Sequence, residues 1–222
     1  MNLNPNATTI LCYGDSNTYG QKPDRGGRFS VSARWTGVLQ SELGDNYAII
    51  EEGLGGRTTD LEHPNPNKPG RGGLTYFKAC LTSHSPLAMV IIMLGTNDFK
   101  THYNRSVEEI ADAIEQYIDY IERSYKESET QPTILLVSPP YMDDTAPQFY
   151  SSMPTPDAYN HLSVEKSREL AAHIQTLAEK KGTSFIDAAL YAQVGDDGCH
   201  MTAQSHDALG QAIANVIRHS EQ

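Results

Sequence analysis

Five short apolar runs alternate with five amphipathic ones along the chain, and this alternation restricts the fold more than any other feature. The strand-like runs are Thr8–Tyr13, Tyr47–Glu51, Leu87–Leu94, Thr133–Val137 and Thr183–Ile186. They are rich in β-branched residues and apolar at consecutive positions, as strands covered on both faces are. Helical patterns lie between and after them at Trp35–Leu43, Leu74–Thr82, Val107–Lys126, Val164–Lys180 and Thr202–Arg218. In the third, Val107, Ile110, Ile114, Ile118 and Ile121 recur at three and four, and Ser106 with Glu109 has the capping-box spacing that starts a helix. Gly182 stands where the fourth helix should stop. Strands alternating with helices predict an α/β fold of three layers, a five-stranded parallel sheet between helices, with right-handed crossovers. Residues 1–222 are read as one domain, since this length suits one well-packed core and shows no repeat or interdomain linker.

Ligands on such sheets bind beyond the carboxyl ends of the strands. Ser16 follows the first strand, Gly56 the second, Asn97 the third, and Asp197 with His200 the fifth, so distant segments should converge on one rim. The long irregular stretches Leu61–Gly73 and Ser138–Asn160 are read as rim loops that shape a pocket.

The run Gly14-Asp15-Ser16-Asn17 places a serine on a tight turn after a strand. A serine hydroxyl becomes a useful nucleophile when a neighbouring base accepts its proton. The bland alternative for Ser16 is a helix N-cap. His200 is the candidate base, because imidazole can both take and return a proton near neutral pH. His206, six residues on, is its competitor and falls within the last helical pattern. His200 is preferred because Asp197 precedes it by three residues, where a carboxylate can hold the ring's other nitrogen. Asp196 could do the same; Asp197 is the choice. The expected oxyanion donors are the backbone N–H groups of Ser16 and Gly56 and the side-chain amide of Asn97, each worth about 2.7–4 kcal/mol to a transition state. Gly55 could stand in for Gly56. Asp15 and Asp98 are read as residues that bond loop backbone.

Other chemistries fit poorly. The chain has no G-x-S-x-G elbow, no Walker A run, no H-E-x-x-H and no C-x-x-C, and the Gly53–Gly56 run lacks the last glycine of the dinucleotide pattern. No metal and no cofactor are expected. Cys199 is read as a packing residue. A net charge of −11 with no Lys/Arg cluster argues against nucleic acid and anionic membranes. The three scattered cysteines, the lack of a signal-peptide start and the lack of a membrane-length apolar run lead to an expectation of a cytoplasmic protein.

Together, Gly14-Asp15-Ser16-Asn17, Gly56, Gly95-Thr96-Asn97-Asp98 and Asp197-x-x-His200 resemble the four blocks of the SGNH (GDSL-type) hydrolase family, in order and across the whole chain. Arg34–Leu39, Glu51–Leu54 with Arg57-Thr58-Thr59, and Val90–Asp98 resemble its arylesterase/acyltransferase branch. The resemblance implies a flavodoxin-like sheet of order 2-1-3-4-5 and hydrolysis of short-chain or aryl esters, as small-molecule substrates, through an acyl-serine without metal. It also implies acyl transfer to alcohols and homo-oligomers. Asn17-Thr18-Tyr19-Gly20-Gln21 departs from the bulkier aromatic arrangement of that branch, and Gln21 with Gly55-Gly56 suggests a less apolar mouth that admits water. A carbohydrate O-acetyl esterase uses the same machinery and is the alternative enzyme. A catalytically inactive binding module on the same fold is the alternative of another class. Tyr103, Tyr141, Phe149 and Tyr150 are read as rim aromatics that line the pocket, cover a subunit contact or anchor loops to the core.

Overall fold

The computed structural model describes residues 4–24, 26–128, 130–151 and 158–220. Strands β1 (Thr8–Gly14), β2 (Tyr47–Gly53), β3 (Met89–Met93), β4 (Thr133–Ser138) and β5 (Ser184–Asp187) form one sheet in the order β2-β1-β3-β4-β5. Every neighbouring pair is parallel. The register sets Gly14 opposite both Gly53 and Met93, so the first three strands end level at one rim.

Consecutive apolar residues on the strands feed two different cores, which is why the sequence runs apolar without alternating. Ile10, Cys12, Ile91, Met93, Leu135 and Val137 pack on one face with Trp35 and Leu39 of α2 (Trp35–Leu43) and with Leu209, Ile213 and Ile217 of α7 (Ala203–Ser220). Leu11, Tyr13, Val90, Ile92 and Leu136 face the other way. They meet α3 (Gly73–Ser83), α4 (Val107–Ser124) and α6 (His161–Lys181) through residues such as Phe77, Ile114, Tyr117 and Ile174.

The expected helices lie where the periodicity puts them, with ends set by local hydrogen bonds. Glu109 N–H donates to Ser106 Oγ at 3.2 Å and Ser106 N–H to Glu109 Oε2 at 2.8 Å, closing the capping box of α4. A second box, Asn160 with Ser163, starts α6 at His161, earlier than the apolar pattern alone indicates. Gly182 ends that helix in the left-handed region at φ +67°. Two short helices carry too few residues for a periodic signal: α1 (Ser16–Tyr19), and α5 (Ala146–Ser151) inside the stretch read as a rim loop. Residues 152–157 of that stretch lie outside the described residues. No described helix is long and apolar enough to cross a membrane.

The Ser106 cap makes a simple check of this local reading. Ser106→Ala should lower the unfolding free energy by about 1 kcal/mol and Ser106→Gly by only a few tenths, measured by urea unfolding. Equal losses in the two variants would show that the hydroxyl does not hold the N-terminus of α4.

Candidate active site

The site begins with the turn after β1. Asp15, not Ser16, caps α1: its Oδ1 accepts the Asn17 N–H at 2.9 Å. Ser16 is therefore the first helical residue, and its hydroxyl makes no hydrogen bond within the described structure. At the far end of the chain, Gly198 takes a left-handed turn at φ +69°, where a Cβ would sit 2.4 Å from the Ala146 nitrogen. That turn lets the Asp197 carboxylate fold back on its own loop. Its Oδ1 accepts the N–H of Cys199 at 2.9 Å and of His200 at 2.8 Å, and its Oδ2 lies 2.5 Å from His200 Nδ1. The ring's Nε2 makes no hydrogen bond among the described residues.

The two loops are stitched together by one side chain. Asn17 Nδ2 donates to the Cys199 carbonyl at 3.2 Å, and Asn17 Oδ1 accepts the Met201 N–H at 2.9 Å. The amide thus brackets His200 from both sides and fixes its loop against the helix that carries Ser16.

The third segment is the turn after β2. Gly56 has φ +80°, which favours glycine, and neither its N–H nor that of Ser16 donates to a described atom. Arg57, buried at 2% exposure, donates from Nη1 to the Gly14 carbonyl at 2.7 Å and also to the Glu52 carbonyl. Its guanidinium lies 4.1 Å from the ring centroid of Tyr13. The Arg57 carbonyl in turn accepts Asn97 Nδ2 at 3.0 Å, while Asp15 Oδ2 is 3.4 Å from the same nitrogen. One strong bond orients the amide, and the long second contact leaves it able to donate elsewhere.

Behind these loops Asp98 accepts the Thr59 N–H at 3.0 Å and the Thr59 hydroxyl at 2.6 Å, and pairs with Arg105 at 3.1 Å. Burial pushes its carboxyl up to about 6. Asp15, also raised by burial first, lies near enough to His200 for an imidazolium to favour its ionised form. Both aspartates secure loop backbone, as the sequence suggests.

Ser16, Gly55, Gly56, Asn97, Cys199 and His200 line one cavity of about 270 Å³, with Gln21, His63, Lys68, Arg71, Lys100, Tyr150 and Tyr159 completing the wall. The predicted residues are thus brought together, although Ser16 and His200 make no direct hydrogen bond. Loose contacts between nucleophile and base are common before substrate binds. His206 is elsewhere: it sits in α7 with Nδ1 3.2 Å from the Trp35 nitrogen, and burial, ahead of His200 and Arg34, pushes it down to about 4. Asp197, rather than Asp196, holds the imidazole. Cys199 does reach the cavity wall, which packing alone does not describe, yet burial first and then Asp197 push its thiol up to about 12. A nucleophilic thiolate is thereby disfavoured.

Of the four rim aromatics, Tyr150 lines the cavity, and its hydroxyl lies 3.3 Å from His200 Nδ1 and 3.4 Å from Asp197 Oδ2. Tyr141 bonds Asp187 at 3.2 Å, Tyr103 packs on His102, and Phe149 rests on the core. No motif indicates Tyr159, His63 or the three basic wall residues. For all but Lys100, which lies just past the Gly95–Asp98 run, the one signal is the polar character of the rim stretches, which marks loops and does not select residues.

Residues 12–208 match the GDSL-like lipase/acylhydrolase family. Among solved structures, the M. smegmatis aryl esterase is 37% identical with a TM-score of 0.84, covering 96% of this chain and 99% of that one. Est24, a carbohydrate acetylesterase from Sinorhizobium meliloti, is 34% identical with a TM-score of 0.85, covering 96% and 99%. No curated protein matches the chain.

Two outcomes are expected from the site as built. Asn17→Ala leaves two buried backbone groups unpaired, at roughly 1–3 kcal/mol each, so it should destabilise the fold. It should also reduce turnover more than apparent substrate affinity, because what it loosens is the His200 loop; a loss confined to KM would refute this. For His206, the unfolded ring takes up a proton near pH 6.5 while the native ring resists it to about 4. The stability it contributes is therefore full above pH 6.5 and lost as pH falls toward 4, about 3 kcal/mol in all. Asp98 acts in the opposite sense over part of that window, because it protonates in the native state first. The comparison must therefore be between wild type and His206→Asn, by urea midpoints at pH 7 and pH 5. The variant should lose less stability than wild type on acidification, and an equal loss would clear His206 of the effect.

Proposed function

The chain belongs to the GDSL-like lipase/acylhydrolase family, and we propose that it is a serine esterase cleaving short-chain or aryl carboxylic esters through an acyl-serine on Ser16. The observation that carries the reading is the 2.5 Å Asp197–His200 pair in a cavity shared with a serine whose hydroxyl has no other duty. Ser16 Oγ attacks the ester carbonyl and His200 takes its proton. Asp197 holds the Nδ1–H tautomer and stabilises the imidazolium. The N–H groups of Ser16 and Gly56 and the Asn97 amide receive the negative charge on the carbonyl oxygen. His200 then protonates the leaving alcohol, and an attacking water, deprotonated by the same ring, releases the acid.

The small cavity favours short acyl groups, and its polar wall, with Gln21, His63, Lys68, Arg71 and Lys100, favours water over transfer to another alcohol. The same wall supports a second reading, removal of acetyl groups from a carbohydrate, in keeping with the acetylesterase that the fold resembles. Comparing kcat/KM on phenyl acetate and on an acetylated sugar separates the two.

The test of the shared machinery is labelling by an organophosphonate ester, read by intact mass and peptide mapping. One adduct on Ser16 is expected, and none in Ser16→Ala, which should also lose turnover. Asn97→Ala should lower kcat by about 10²–10³, and Asp197→Asn by about 10⁴. Undiminished turnover in Ser16→Ala would end the assignment. Absence of any adduct on the folded protein would favour an inactive binding module.

A further inference from the structure

A second chemical cluster lies outside the cavity, where the edge strand meets α3. Cys80 and His84 stand one turn apart, the latter as the C-terminal cap of α3, whose N–H bonds the Cys80 carbonyl at 3.1 Å. Glu52, near the end of β2, faces them: His84 Nε2 is 2.9 Å from Glu52 Oε1. The Cys80 sulfur, a His84 ring nitrogen and a Glu52 carboxylate oxygen all lie within 4.8 Å of one another. From this juxtaposition we infer that Glu52, Cys80 and His84 bind a thiophilic divalent cation, Zn²⁺ foremost, as a site separate from the esterase centre.

The donor set has the right chemistry. Residues at i and i+4 share one helix face, so α3 presents sulfur and imidazole together while the strand supplies oxygen across from them. Thiolate ligation selects Zn²⁺ over Mg²⁺ or Ca²⁺. A thiolate and a carboxylate balance the charge of a dication, and three protein ligands leave a fourth position for water. Tetrahedral zinc would set the donor atoms roughly 3.3–3.5 Å apart, so the sulfur need close in by no more than about 1.5 Å while the His84–Glu52 pair, now at 2.9 Å, opens slightly to admit the ion. His84 and Glu52 can move to do so, since their side chains are 29% and 20% exposed, and they give the ion a way in. The Tyr76 hydroxyl donates to the other Glu52 oxygen at 3.3 Å, the outer bond that commonly orients a ligating carboxylate. Arg57 is the nearby cation, and its guanidinium is stacked on Tyr13 and Tyr76. The Cys80 thiol is pushed up to about 12 by burial and then by Glu52, so binding would displace its proton.

No sequence motif marks this site, because its ligands come from two elements. Its place gives it a consequence: an ion would tie β2 to α3 just before the Gly53–Gly56 turn, and Arg57, whose carbonyl orients Asn97, already grips the Glu52 carbonyl.

The test is a Co²⁺ titration of the reduced, metal-free, full-length protein. One equivalent should bind with a thiolate-to-cobalt charge-transfer band and the intense visible bands of four-coordinate cobalt, and Zn²⁺ should bleach both. Cys80→Ser should abolish the charge-transfer band, and Zn²⁺ should raise the Tm of wild type but not of that variant. His84→Gln should weaken Co²⁺ binding at least roughly tenfold with its circular dichroism unchanged. A folded wild type that gives no thiolate band would overturn the proposal, as would a band surviving in Cys80→Ser. Should Cys80→Ser not fold, undiminished Co²⁺ affinity in His84→Gln would overturn it equally.

Discussion

The amide of Asn17 is the contact on which the site depends. It reaches from the short helix after β1 to the loop before the last helix, bonding a carbonyl on one side of His200 and an N–H on the other. A single hydrogen bond would let that loop pivot; two, from one planar group, set both its position and its tilt. Asn17 is fully buried, so neither partner has water as an alternative, and any displacement leaves both unpaired. The orientation of the imidazole relative to Ser16 thus follows from the bonds between α1 and the loop before α7, not from contact between the two side chains. That is why serine and histidine can stand ready in one cavity without touching.

The other wall of the site rests on Arg57 in a similar way. Its guanidinium grips the ends of β1 and β2 through the carbonyls of Gly14 and Glu52, and its carbonyl orients Asn97 after β3. Three strand ends are therefore coupled through one residue. A second clamp, Asp98 with Thr59 and Arg105, holds the loop leaving that turn against the helix start at α4. A buried guanidinium would be costly if unsatisfied. Here Nη1 meets two carbonyls and the faces of Tyr13 and Tyr76 cover the group, while Nε has no hydrogen-bond partner among the described residues.

Much of this arrangement is legible in the amino-acid sequence. The layers, the parallel sheet and the convergence at one rim follow from alternating apolar and amphipathic runs, because strands buried on both faces cannot hide their composition. Ser16, Gly56, Asn97, Asp197 and His200 are legible as a set because each follows a strand, where the topology gathers loops. The features that the sequence conceals have no period and no fixed spacing. α1 and α5 are too short to repeat a pattern. Tyr150 approaches Asp197 and His200 from α5, a short helix whose placement depends on tertiary packing, so its residue type alone cannot separate a cavity wall from a core anchor. The role of Asn17 is equally hidden, since an amide beside a serine says nothing of partners 182 and 184 residues away.

One local device recurs through these loops and shows how little separates a structural aspartate from a chemical one. Asp15, Asp143, Asp187 and Asp197 each accept the backbone N–H two residues on, with distances of 2.9, 2.8, 3.0 and 2.9 Å. In each case the carboxylate closes a turn that the chain must make on leaving or entering an element. At Asp187 the remaining oxygen faces Tyr141, and at Asp15 it faces Asn97 at a long distance. At Asp197 the same turn carries a histidine three residues on, and Gly198 gives it the left-handed bend that brings the ring back over the second oxygen. An imidazole so placed has one nitrogen fixed and the other free. The pairing that supports the proposed chemistry is thus an ordinary turn with one residue added, and it is the clamp from Asn17 that gives that residue a direction.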